Sequence, residues 1–146
     1  MNYGRLALAA VAATVADIVY GFLVYGLLLA NDFAHFPLVY RSAETGPGYL
    51  PLMFAGLFVS MIVATTIYAK GYEGGSGAAE GVRFGVLLGV FVATAFAAVN
   101  YATLNIGRWH SLYMACAAFV EWTIAGLVIG VVYKPAAGSS RQAVRV

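Results

Sequence analysis

The sequence predicts an all-α, polytopic membrane protein: four transmembrane helices in a bundle, with both termini cytoplasmic. Three observations carry that prediction. Hydrophobic residues make up 62% of the chain and charged residues only 10%, a balance foreign to soluble domains. Four apolar stretches, 6–29, 50–69, 84–104 and 112–133, are each long enough to cross a hydrocarbon core as a helix of roughly 20 residues. Lysine and arginine are also distributed unevenly. Six (Arg5, Lys70, Arg83, Lys134, Arg141 and Arg145) fall on the side of the termini, and two (Arg41 and Arg108) on the other, which by the positive-inside rule puts the termini in the cytoplasm.

A β-barrel needs polar and apolar residues in alternation, and segment 84–92 is apolar on both faces. Residues 1–134 therefore read as a single transmembrane domain, followed by a polar, disordered tail at 135–146. The net charge of +2 is too small for a nucleic-acid surface. The expected partners are the lipid bilayer and either further copies of the chain or another membrane protein. Cys116 is the sole cysteine, which excludes an internal disulfide or a CxxC pair.

The first span follows Arg5 as a secretory signal would, but its apolar run continues past Asp17 to Leu29, longer than a signal core. The connection at 31–48 ends in Gly46-Pro47-Gly48, a turn, and Pro51 suits the first turn of the second helix. Within it, Phe33, Phe36, Val39 and Tyr40 are spaced for a short helix lying in the membrane interface. Tyr3, Tyr68, Tyr72 and Tyr133 mark one water boundary, and Tyr49, Trp109 and Tyr113 the other.

The loop at 70–81 is rich in glycine but lacks the third glycine of a dinucleotide fingerprint and a Walker lysine. Glu80 and Arg83, three residues apart, suit a cytoplasmic cap on the third helix, bonded to each other. Gly81, Gly85, Gly89, Ala93 and Ala97 then recur every four residues, and Gly126 and Gly130 give the fourth span a similar patch. Such faces let helices approach closely where lipid supplies no hydrophobic drive. They suit either a neighbour in the same chain or an oligomer. Asn100 is expected to bond across helices near the far end of its span. Phe58-Val59-Ser60 and Phe119-Val120-Glu121 hint at a repeat of two helix hairpins.

Chemistry concentrates on two acids. Asp17 and Glu121 sit near the middle of the first and fourth spans, where a charge costs about 2.5–3.5 kcal/mol on insertion scales. Each has small residues four positions either side, Ala13 and Gly21 around Asp17, Ala117 and Ala125 around Glu121. Both therefore belong to helix-contacting faces. Ser60 and Thr94 lie at similar depth, and the four residues are expected to form a polar layer. With Tyr20, Tyr25 or Trp122 offering aromatic faces, the layer reads as a proton- or cation-binding site. The competing reading is an acid whose one hydrogen bond fixes helix register.

His35 and His110 fall in the loops opposite the termini. Asp32 and His35 share the i, i+3 spacing of two ligands, and His110 completes a weak three-residue metal set, one short of a structural zinc site. No histidine within a span means no transmembrane haem, and no cofactor is expected. The sequence offers no recognisable nucleophile, so an intramembrane enzyme ranks behind a small proton- or cation-linked transporter. It also ranks behind the alternative, a non-catalytic accessory or scaffold subunit that binds a membrane partner through its small-residue faces.

Through Glu80-Gly81-Val82-Arg83-Phe84-Gly85, Asn100-Tyr101-Ala102-Thr103, Glu121 and Tyr133-Lys134-Pro135, the second half resembles small uncharacterised bacterial four-helix inner-membrane proteins. The resemblance implies a multi-pass inner-membrane location and no particular activity. A mid-membrane acid among aromatics is similar in principle to the small multidrug-resistance transporters, which are shorter and carry their acid in the first helix; the second acid, Glu121, and the long loop at 31–48 depart from that pattern.

Overall fold

The computed structural model describes residues 1–135; the tail predicted at 135–146 lies outside them apart from Pro135. The described residues contain no strand. Four helical segments are long and apolar enough to cross a membrane: Tyr3–Leu28, Gly46–Gly71, Gly77–Thr103 and Arg108–Val132. At 1.5 Å per residue the 26-residue first segment spans about 39 Å, enough for a hydrocarbon core and both interfaces.

The first segment is helix α1, Tyr3–Gly21, continued by a π-helical turn, Phe22–Leu28. Asn2 caps α1, its side chain accepting from the Arg5 N–H at 3.2 Å. A short helix α2, Ala30–Ala34, follows. A 3₁₀ turn at Gly46–Tyr49 then leads into α3, Leu50–Gly71, with Pro51 in its first turn as its fixed φ favours. The third segment is α4, Gly77–Val92, a second π-helical turn Ala93–Ala97, and α5, Ala98–Thr103. The last is α6, Arg108–Val132.

Helix α4 begins seven residues before the apolar stretch that announced it, because its first turn is secured by Glu80. The Glu80 carboxylate accepts the Gly75 N–H at 2.5 Å, reaching back over the helix start. Arg83 pairs with Glu73 at 2.6 Å, not with Glu80. The expected local pair is thus corrected to two separate contacts. Both partners of the ion pair are more than 60% exposed, so solvent screens it and it adds little to stability.

Helix α6 organises the packing. It contacts α4 along most of its length and α1 on another side, while α1 also packs on α3. The α4–α6 contact is the glycine interface. A Cβ at Gly81 would stand 2.5 Å from the Gly126 carbonyl, at Gly85 2.6 Å from the Trp122 carbonyl, and at Gly89 2.8 Å from the Phe119 carbonyl. Gly126 and Gly130 face back onto Gly81 and Gly85. The small-residue faces of the third and fourth spans therefore seal each other within one chain. Ala93 falls in the π turn, beyond this seam.

The core runs along α1, α3 and α6, with Ala9, Ala13, Met61, Ala64, Ala125 and Ile129 buried. Near the termini Tyr68, Tyr72, Tyr133 and Phe84 interlock, with Tyr68 5.5 Å from Phe84 and 6.0 Å from Tyr133 between ring centres. Tyr68 and Tyr133 are buried. They are packing residues between the helices. The two hairpins also differ in construction, α1 and α3 meeting through Ala and Met, α4 and α6 through Gly.

Candidate functional site

Asp17 and Glu121 come together. Ala13 on α1 and Ala117 and Ala125 on α6 are buried, so the two helices approach closely on both sides of the acids. At that separation the two carboxyl groups are close enough to act on each other electrostatically. Asp17 is 5% exposed, and its Oδ2 is buried without a donor from the protein. Unpartnered buried acceptors are rare and costly.

Two tyrosines surround the pair. Tyr25 donates its hydroxyl to Glu121 Oε2 at 2.9 Å. Tyr25 belongs to the π-helical turn, where the Leu29 N–H bonds the Val24 carbonyl five residues back. The wider turn resets the angular position of every later side chain, and such bulges recur at functional sites. Tyr20 donates to the Ala117 carbonyl at 2.9 Å, pinning α1 to α6 one turn before Glu121, and its ring meets Tyr25 edge to face at 6.2 Å. The sequence offered both rings as aromatic faces. It missed Tyr25 as a donor to the acid, a contact across 96 residues.

Ser60 and Thr94 do not complete the polar layer. Ser60 donates to the Gly56 carbonyl at 3.0 Å and Thr94 to the Val90 carbonyl at 2.7 Å, each within its own helix. Back-bonding of this kind satisfies a hydroxyl locally and takes it out of interhelical contacts. Trp122 packs against the core of α1, α3 and α6.

At the opposite end from residues 1–3, the weak metal set resolves differently. His110 is not in a loop: it lies in the first turn of α6 and is 1% exposed. Its Nδ1 bonds Asp32 Oδ2, and its Nε2 bonds the Tyr40 hydroxyl at 2.6 Å. His35 is exposed. No group of three metal-ligating side chains forms among the described residues, and both His110 nitrogens already have partners. The expected interfacial helix is replaced by α2 and a series of turns. Phe33 and Phe36 pack their rings 5.3 and 4.7 Å from His110.

Burial pushes the Tyr40 hydroxyl above its ordinary value of 10.0, and the nearby Asp32 carboxylate adds to the shift. Between pH 10 and the raised value the unfolded chain binds fewer protons than the folded one, so stability falls as pH rises through that window. Alkaline ultraviolet titration is expected to show Tyr40 among the tyrosines that ionise late, and Tyr40→Phe to remove that one contribution. Loss of a different tyrosine signal in that variant refutes the assignment.

A cavity of about 60 Å³ lies beside the cluster, lined by Tyr40, Phe96, Asn100, Ser111, Met114 and Ala118 among others. Asn100 lines this space and makes no cross-helix side-chain bond among the described residues. Ser111 donates to the Ala97 carbonyl at 3.1 Å, a carbonyl of the second π turn. No protein-family model, curated protein or solved structure matches the chain, so the functional reading rests on this geometry.

Proposed function

We propose that the chain is a small proton- or cation-linked transporter whose exchange site is the Asp17–Glu121 pair. The observation that carries the reading is the meeting of two carboxyl groups from different helices in an apolar interior, one of them with a buried oxygen that the protein leaves without a donor. A proton shared between the acids, or a cation held by them, supplies what the protein withholds. Tyr25 holds Glu121 in place through its hydroxyl bond.

The accessory-subunit reading depended on free small-residue faces. Gly81, Gly85 and Gly89 are spent on Gly126, Gly130 and neighbouring backbone within the chain, which favours the transport reading. A homo-oligomer or a membrane partner would have to use other surfaces. We place the chain in a bacterial inner membrane with both termini cytoplasmic, in keeping with the distribution of lysine and arginine.

The test is a pH titration of Trp122 fluorescence in a Trp109→Phe background in lipid. The chain has two tryptophans, so this isolates the residue next to Glu121. A transition that disappears in Glu121→Gln is the expected result. A signal flat over the range in which the protein stays folded rejects proton exchange at this site.

A further inference from the structure

We propose that Asp32, His110 and Tyr40 form a proton relay for the acid pair, linking the aqueous surface to the cavity one helical turn from Glu121. This deepens the transport reading and rests on it. The cluster is wet at one end and dry at the other: the Asp32 side chain is 26% exposed, whereas that of His110 is 1% exposed. Both imidazole nitrogens are engaged, with Asp32 on one side and Tyr40 on the other. An imidazole so held can take a proton on one nitrogen while releasing one from the other.

Tyr40 is the inner end of the chain and also lines the cavity, whose 60 Å³ has room for about two water molecules. On α6 the cavity wall is Ser111, Met114 and Ala118, and the next step of three residues along that helix is Glu121, a rise of about 4.5 Å. His110 and Glu121 themselves are eleven residues apart, close to three full turns, and so share a face of α6. A loop anchor needs none of this. An apolar side chain would fix the loop without the cost of burying an imidazole.

The transfer balances as follows. A proton from water first neutralises the Asp32 carboxylate, so that Asp32 donates to Nδ1 while Nε2–H donates to Tyr40. The Asp32 proton then passes to Nδ1, the Nε2 proton to the Tyr40 oxygen, and the original Tyr40 hydroxyl proton to water in the cavity and toward the acid pair. Asp32 is left ionised against Nδ1–H, a flip of the imidazole ring exchanges the two nitrogens and restores the start, and no bond other than O–H and N–H changes. The groups facing His110 are Asp32 from α2, Tyr40 from the following turns, and the rings of Phe33 and Phe36. On α6 itself the nearest cation, Arg108, lies over the Trp109 ring at 5.4 Å.

The experiment uses the full chain in vesicles, oriented with Asp32 outward. An external pH jump is followed through the carboxyl infrared band of the acid pair, assigned by its loss in Asp17→Asn and Glu121→Gln. Tyr40→Phe and His110→Gln are expected to slow the response about a hundredfold, leaving its final amplitude and the response to an internal jump unchanged. Tyr40→Phe keeps the ring that packs 4.7 Å from Phe33, and Asp32→Asn provides a second variant should His110→Gln fail to fold. Unchanged rates in Tyr40→Phe and Asp32→Asn overturn the relay while leaving the acid pair standing. A band that ignores pH in the unmodified protein removes both proposals.

Discussion

Gly85→Ala is expected to destabilise the protein by about 3 kcal/mol, the upper end of the usual cost of overpacking. The added methyl would meet the Trp122 carbonyl at 2.6 Å, the Thr123 carbonyl at 2.8 Å and the Thr123 Cα at 2.9 Å. All three are backbone atoms of a helix fixed by its own hydrogen bonds, so no side chain can swing aside. The helices must separate, and close contact is what holds them together in lipid. Gly56→Ala on α3 is the control, since a Cβ there meets nothing within 4 Å. It should be neutral, or stabilising by up to about 1 kcal/mol from helix propensity. Reversible unfolding in mixed micelles reads both variants. Equal stability of the two would mean that α4 and α6 are not joined through this seam.

The second large effect concerns the acids as a unit. Asp17→Asn and Glu121→Gln are each expected to reduce proton exchange by about a hundredfold or more, and the double variant to lose little beyond either single one. Groups that act together give such non-additive losses, because the first removal already disables the site. The stability cycle should also show coupling of about 0.5–3 kcal/mol, as for residues in direct contact. Additive losses in exchange, each small, would indicate two separate packing acids. Coupling in stability with exchange intact would indicate a register lock and no transport site.

Much of the architecture was legible because a bilayer imposes one simple rule. A span must satisfy its own backbone and present apolar side chains over a fixed length. The four helices at Tyr3–Leu28, Gly46–Gly71, Gly77–Thr103 and Arg108–Val132 follow from that rule to within a few residues at most ends. Gly77 is the exception, since Glu80 extends α4 through a side-chain bond that a hydropathy pattern does not contain. The four-residue recurrence of Gly81, Gly85 and Gly89 likewise announced a close helix contact without saying which helix would fill it.

The candidate site was half legible. Asp17 and Glu121 stood out because an acid in an apolar span has no inexpensive explanation. The bonding roles of Tyr25, Tyr40 and His110 did not, because tyrosine and histidine near an interface are ordinary and their partners lie 70 to 96 residues away. Ser60 and Thr94 were misread for a related reason. Depth can be counted along a sequence, but whether a hydroxyl bonds its own helix or a neighbour depends on rotamer and local space.

By itself the sequence determined that the chain has four segments long and apolar enough to cross a membrane, that two of them carry an acid near the middle, and that small-residue faces suit a close helix contact. These are one-dimensional properties of spacing and polarity, and any fold of this chain must satisfy them. Only the tertiary structure decided that the glycine seam closes within the chain and that the acids share a site. It also decided that a π-helical turn aims Tyr25 at Glu121, and that His110 is buried between Asp32 and Tyr40. Those outcomes depend on how helices rotate about their axes, and a single extra residue in one turn changes that rotation for everything that follows it.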